Sequence, residues 1–171
     1  DEGEVSRTIA MLSRSGILPE ADFYCPIPYQ PLDIFTEDAV AKAVATPKGA
    51  LDRLFALFAR QLAAADPAYS DEVRFSEADA VSVAERYFTS RTLADPFDWA
   101  ARNLAEVKRN AAARHTVAWR YAILRMHEPF GGVQTALTDE DQARFAAGLK
   151  RMFVDNYAAV PPLSIERLLA L

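Results

Sequence analysis

The sequence contains few of the residues that build disulfides and metal centres. Among its 171 residues there is one cysteine, Cys25, and there are two histidines, His115 and His127. A single cysteine excludes an internal disulfide and any metal site with several cysteine ligands. Cys25 lies among aromatic residues and prolines in FYCPIPYQP, where a packed, small apolar residue is a simpler interpretation than a nucleophile.

Motifs for catalysis and for metal or phosphate binding are also missing. The sequence has no HExxH, no CxxC before a histidine, no Gly-rich phosphate loop and no Gly-x-Ser-x-Gly elbow. A di-iron bundle needs Glu-x-x-His pairs, and Ala112 stands where His115 would need its glutamate. We therefore expect no metal site and no catalytic residues, and an enzyme is the less favoured class of protein.

Long apolar runs and an excess of basic residues are absent as well. No run approaches the roughly 20 apolar residues that span a bilayer, so we expect no transmembrane segment and a soluble chain. The net charge of −5 is acidic and argues against binding of nucleic acid, which requires a basic surface. The chain begins at Asp1, which weakly favours an exported or processed chain over a cytoplasmic one.

What the sequence does contain is a series of helix signals. Thr36, Asp95 and Thr138 are each followed by first-turn acids or a proline, as expected of helix N-caps. No segment shows the sustained alternation of a strand. We predict an all-α, single-domain helical bundle of six or seven helices over residues 1–171. Its core helices are predicted at 49–65, 77–91, 96–127 and 139–158, with Ser76 capping the second of these.

The first 35 residues differ from the helical core that we place at 36–171. A short amphipathic helix is predicted over 4–15. The prolines that follow it exclude helix because each fixes its own φ and favours an extended predecessor. These are Pro19, Pro26, Pro28 and Pro31, and aromatic residues lie among them. We predict an extended proline- and aromatic-rich arm that lies across a helical surface.

The segment from Asp95 to His127 is predicted to be one long helix that Pro129 and the following Gly131–Gly132 pair end. At about 100° per residue, His115 falls within its apolar face. A neutral, hydrogen-bonded core histidine is the favoured interpretation. The alternative is a pocket beside His115 that binds haem or another small ligand, with Tyr121 and Arg114 as its polar partners.

Charge is unevenly distributed between the arm and the long helix. The charged residues within 1–41 are mostly acidic, whereas those of the long helix are mostly basic. We expect the acidic arm to pack near the basic helix; a basic patch left free for an anionic partner is the alternative. The leading functional hypothesis is a helical accessory or interaction protein that binds a protein partner or forms a homo-oligomer. The alternative is a small-molecule or haem-type binding bundle.

Overall fold

The computed structural model describes residues 16–26 and 28–171, and these form an all-helical structure without a β-strand. The helix expected over 4–15 lies outside the described residues. Within them there are nine α-helices, more than expected, because two of the predicted helices are each divided and a further helix follows Asp66. The helices are α1 (Glu37–Val44), α2 (Ala50–Ala65), α3 (Pro67–Val73), α4 (Val83–Thr92), α5 (Pro96–Ala113), α6 (Ala118–Val133), α7 (Asp139–Ala147), α8 (Leu149–Tyr157) and α9 (Pro162–Leu169).

Three of the predicted N-caps are confirmed by their hydrogen bonds. The Thr36 hydroxyl accepts the N–H of Ala39 at 3.2 Å, and the Thr138 hydroxyl accepts the N–H of Asp141 at 3.2 Å. The Asp95 carboxylate accepts two N–H groups of the first turn of α5, at 2.9 and 3.0 Å. Each cap satisfies N–H groups that have no partner inside the helix, so these helices begin where their local sequence directs.

The prediction that Ser76 caps a helix is wrong. Residues 75–77 form a 3₁₀ turn, and α4 begins at Val83. Between them the Asp79 carboxylate accepts the N–H groups of Val81 and Ser82, at 2.9 and 2.7 Å. This turn satisfies the backbone groups that a helix through the segment would have satisfied, and it delays α4 by about two turns.

The prediction of a single long helix is also wrong, because the segment is divided at Arg114. Arg114 has a φ of 51° and a ψ of 38°, in the left-handed region that ends many helices. Its N–H bonds to the carbonyl of Ala111 at 3.1 Å, and the next N–H, of His115, bonds to Asn110 at 2.8 Å. These bonds close α5, and α6 starts at Ala118.

Helix α6 continues past the residues that were expected to end it. Pro129 lies inside the helix, which extends to Val133 through the glycine pair. A proline lacks the N–H that would bond four residues back. Met126 and Phe130 on either side are almost fully buried, and this packing maintains the helix across the missing bond.

The described residues have two hydrophobic cores. The larger core lies among α1, α2, α4, α6, α7 and α8, where the fully buried Phe58 meets Phe75 and Phe153 edge-on at 5.9 and 5.8 Å. A smaller core joins α5, α9 and the arm. Its members are Ala21, Ala100, Leu104, Val107 and Ile165. The apolar faces of α5 and α6 therefore pack into different cores.

The extended arm is confirmed over its described part. Its backbone pairs with the segment before α9, where Asp22 donates to the carbonyl of Val160 at 2.8 Å and Val160 donates to the carbonyl of Glu20 at 2.9 Å. The Ala21 N–H donates to the side-chain oxygen of Asn103 on α5 at 2.8 Å. These bonds fix the arm against α5 and hold the side chain of Glu20 in the protein interior.

In the part of the chain that the structure describes, no helix combines the length and apolar character needed to cross a membrane.

Candidate functional site

A cleft of about 420 Å³ lies where α3, α4, α5 and the start of α6 meet above the arm. Arginines, glutamates and aromatic side chains line it. Both tryptophans of the chain, Trp99 and Trp119, are among them. A concave space that combines aromatic surface with converging polar groups is the usual form of a small-molecule site.

The bottom of the cleft contains a buried ion pair between the arm and α6. Glu20 is 4% exposed and Arg120 is 5% exposed. The Arg120 guanidinium donates to one carboxylate oxygen of Glu20, and the indole N–H of Trp99 donates to the other at 2.9 Å. This pair is one contact between the acidic arm and the basic segment that the charge distribution predicts.

A second buried arginine, Arg91 of α4, lies beside this pair. Its Nη1 donates to the Asp155 carboxylate at 2.6 Å, and its Nη2 donates to the carbonyl of Leu18 in the arm at 2.8 Å. The hydroxyl of Tyr87 donates to the same Asp155 carboxylate at 2.8 Å. Among the described residues the Nε of Arg91 has no hydrogen-bond partner, and the nearest oxygen of Glu20 is 3.9 Å away.

The ion pairs determine the pKa of Glu20. Burial alone would raise this pKa, but the positive charges of Arg120 and Arg91 and the hydrogen bonds from Trp99 and Arg120 outweigh it. The pKa of Glu20 therefore lies below its usual value of 4.5, and the carboxylate stays ionised at neutral pH.

This pKa shift predicts an acid-sensitive contribution to stability. A carboxylate whose pKa is lowered on folding stabilises the fold above pH 4.5, and the contribution is lost as the pH falls through the lower folded-state pKa. The free energy of unfolding in urea, measured across this range, should therefore fall more steeply for the wild type than for Glu20→Gln. Equal pH dependence in the two proteins would contradict the assignment.

The aromatic wall of the cleft consists of rings that contact one another. The rings of Tyr69 and Trp119 stack at 4.1 Å with a 12° interplanar angle, and Tyr87 meets Trp119 edge-on at 6.2 Å. The Arg120 guanidinium lies over the Trp119 ring at 4.6 Å. Burial is the main reason that the pKa values of both tyrosine hydroxyls are raised, so these groups stay neutral donors at physiological pH.

The structure places the predicted ligand-binding residues elsewhere. His115 and Arg114 are exposed at the break between α5 and α6, so the prediction that His115 lies on a buried apolar face is wrong. Tyr121 donates its hydroxyl to the carbonyl of Gln30 at 3.0 Å and thereby holds the arm. None of the three lines the cleft. Binding of haem or another ligand at His115 is not tested by this placement and stays a prediction.

Sequence reasoning did not predict this cleft. Glu20 and Arg120 are separated by 100 positions, and no local pattern in the sequence brings them together. The available signal was Trp99, a polar-tipped aromatic near the start of a helix whose indole N–H needs an acceptor when it is buried. Cys25 is partly buried, and burial together with the charge of Asp22 raises the pKa of its thiol, which disfavours a nucleophile.

The fold and the cleft define an all-helical domain built around a charged, aromatic-lined site. The chain belongs to the family described as the YdhS-like middle domain, which matches residues 36–157. A relative of Escherichia coli, named "Uncharacterized protein YdhS", is 48% identical, and the similarity covers 100% of this chain and 32% of the relative. The chain thus spans about a third of that protein's length. No solved structure matches the chain.

Proposed function

We propose that this domain is a binding module of a longer protein and that its cleft holds a small organic molecule. The observation that carries the proposal is the pair of buried arginines, Arg91 and Arg120, at the bottom of an open, aromatic-lined cleft. Buried ion pairs are a weak source of stability, since desolvation offsets much of their attraction. Their concentration in a concave site, beside the Glu20 carboxyl whose pKa is lowered, is more typical of binding sites than of structural cores.

This proposal keeps the small-molecule alternative but moves it from His115 to the cleft. A haem or another cofactor at His115 stays a prediction without further support. No group of three or more potential metal-ligating side chains lies together among the described residues. The expectations that the protein is not an enzyme and that it is an exported or processed chain also stay predictions.

An interaction role is the second candidate, supported by apolar side chains at the junction of α4 and α5. Leu93 is 83% exposed and Phe97 is 49% exposed. Because the E. coli relative continues well beyond the part that this chain matches, another part of the longer protein is the occupant that we favour for this surface. A separate protein partner or a homo-oligomer stays the wider prediction.

The proposed cleft can be tested with the neutral fluorescent probe phenylnaphthylamine. Both tryptophans line the cleft, so energy transfer from them to the probe reports binding, and variants of α4 locate the bound probe. We expect transfer that saturates at one probe per chain. Ser90→Phe should weaken binding at least about tenfold because it fills the cleft from α4.

The matched control is Thr92→Phe, since Thr92 is also exposed on α4 but does not line the cleft. It should bind the probe as the wild type does. Equal binding by the two variants, or transfer that does not saturate at one site, would contradict a binding function for the cleft.

A further inference from the structure

We infer that the ligand of the cleft is a small aromatic zwitterion, with the chemistry of an aromatic α-amino acid. The inference rests on the proposed function, because it assigns a class of ligand to the same cleft. Three features support it. The buried ion pairs at the bottom of the cleft, here called the buried layer, are neutral as a set. Unpaired charges lie at the open edge of the cleft, here called the rim, and aromatic rings form its wall.

The buried layer has no net charge that a ligand would have to balance. Glu20 is neutralised by Arg120, and Asp155 is neutralised by Arg91 at 2.6 Å. A ligand that brought a net charge next to this layer would have to be desolvated without a counter-ion. The Nε–H of Arg91, which has no acceptor among the described residues, can donate a hydrogen bond to a polar ligand atom or a water molecule.

The rim, in contrast, has charges of both signs without ion-pair partners among the described residues. Arg74 and Arg86 are paired with Glu77, at 3.6 and 3.4 Å. Arg102 makes no ion pair within the described part of the chain; its guanidinium lies over the Trp99 ring at 5.4 Å, and its Nε donates to the carbonyl of Asp98 at 3.4 Å. Glu72 and Glu106, which also line the cleft, have neither an ion pair nor a side-chain hydrogen bond among these residues.

The spacing of the unpaired charges favours a zwitterionic ligand. Arg102 and Glu106 are four residues apart on α5 and both line the cleft, so their side chains start about 5–6 Å apart on one helix face. They do not bond to each other. A carboxylate and an ammonium group on the same carbon atom can bind such a pair together, the carboxylate at Arg102 and the ammonium group at Glu106. Glu72 of α3 provides a second carboxylate at the rim.

The wall between the rim and the buried layer accounts for the aromatic part of the ligand. Tyr69, Tyr87 and Trp119 form a packed set of rings beside the rim charges. A ligand ring that packs against them gains offset or edge-on contacts in addition to apolar burial. An aliphatic ligand would lack these contacts.

Four ligands separate these features: phenylalanine, phenylpropanoate, phenethylamine and alanine. Phenylalanine has both charges and the ring. Phenylpropanoate lacks the ammonium group, phenethylamine lacks the carboxylate, and alanine lacks the ring. Binding is followed by calorimetry and by quenching of tryptophan emission. We expect phenylalanine to bind most tightly and each of the other three to bind about tenfold more weakly or worse, as the loss of one charged hydrogen bond or one ring contact implies.

Two charge variants assign the contacts. Arg102→Gln should weaken phenylalanine binding about tenfold and leave phenethylamine binding unchanged. Glu106→Gln should weaken phenylalanine binding and leave phenylpropanoate binding unchanged. Arg109→Gln, an exposed change on the same helix outside the cleft, should alter neither.

The outcomes distinguish failure of this inference from failure of the proposed function. If alanine or phenylpropanoate binds as tightly as phenylalanine, or if none of the four binds while phenylnaphthylamine still does, the zwitterion assignment is overturned and the cleft remains a binding site. If phenylnaphthylamine does not bind either, both proposals fail.

Discussion

Arg120→Met should lower the free energy of unfolding by about 3–5 kcal/mol, among the largest losses that a single side chain of this domain can produce. The substitution retains the apolar volume of the side chain but removes the charge that faces Glu20. The carboxylate would stay 4% exposed, with only the Trp99 N–H and the more distant Arg91 to stabilise it. An uncompensated buried charge is the reason for the large loss.

Urea unfolding at neutral pH measures this effect, and two further variants show its origin. Lys108→Met breaks an exposed ion pair with Glu166 at 2.7 Å and should cost less than about 1 kcal/mol. The double variant Glu20→Met/Arg120→Met removes both buried charges and should recover much of the loss of Arg120→Met. A loss of under about 1 kcal/mol for Arg120→Met alone would show that the pair is not buried as described.

Gly148→Ala should destabilise the domain by about 3 kcal/mol, at the upper end of the range for overpacking. Gly148 separates α7 from α8, and the Leu149 N–H that follows donates to the carbonyl of Ala80 at 2.8 Å. A Cβ atom on Gly148 would lie 2.0 Å from that carbonyl oxygen and 2.5 Å from the Cα of Val81. Both are backbone atoms, so no side-chain rotation relieves the clash.

A second glycine provides the control. Gly131 lies inside α6, and a Cβ atom there would meet nothing within 4 Å. Gly131→Ala should therefore leave stability unchanged or raise it by up to about 1 kcal/mol through helix propensity. Urea unfolding followed by circular dichroism compares the two. Equal stability of the two variants would contradict the close approach at Gly148.

The helical fold class and several helix boundaries could be predicted from local sequence. The N-caps at Thr36, Asp95 and Thr138 act through atoms two or three residues away, so a short window contains all the information they need. Apolar residues recur at helical spacing along α2 in the same local way, and Leu51, Leu54 and Leu62 of this stripe are fully buried. The prolines excluded helix from the arm because proline restricts its own backbone.

The helix breaks could not be predicted in this way. Arg114 adopts a left-handed conformation that glycine or asparagine more often occupies, and its own residue type carries no signal for it. Conversely, Pro129 and the glycine pair after it suggest an end to α6, yet the buried Met126 and Phe130 keep it helical. At Pro129 the burial of Met126 and Phe130 outweighs a local preference of about 3 kcal/mol. The division at Arg114 also removed His115 from the core.

The sequence by itself determined that this protein is helical, where several of its helices begin, and that an extended arm precedes them. Those properties depend on interactions within one or two turns, which a linear pattern records. Only the tertiary structure decided that Glu20 of the arm meets Arg120 of α6 beneath an aromatic cleft. A contact across 100 positions depends on how the helices pack, and their packing depends on where α5 and α6 separate.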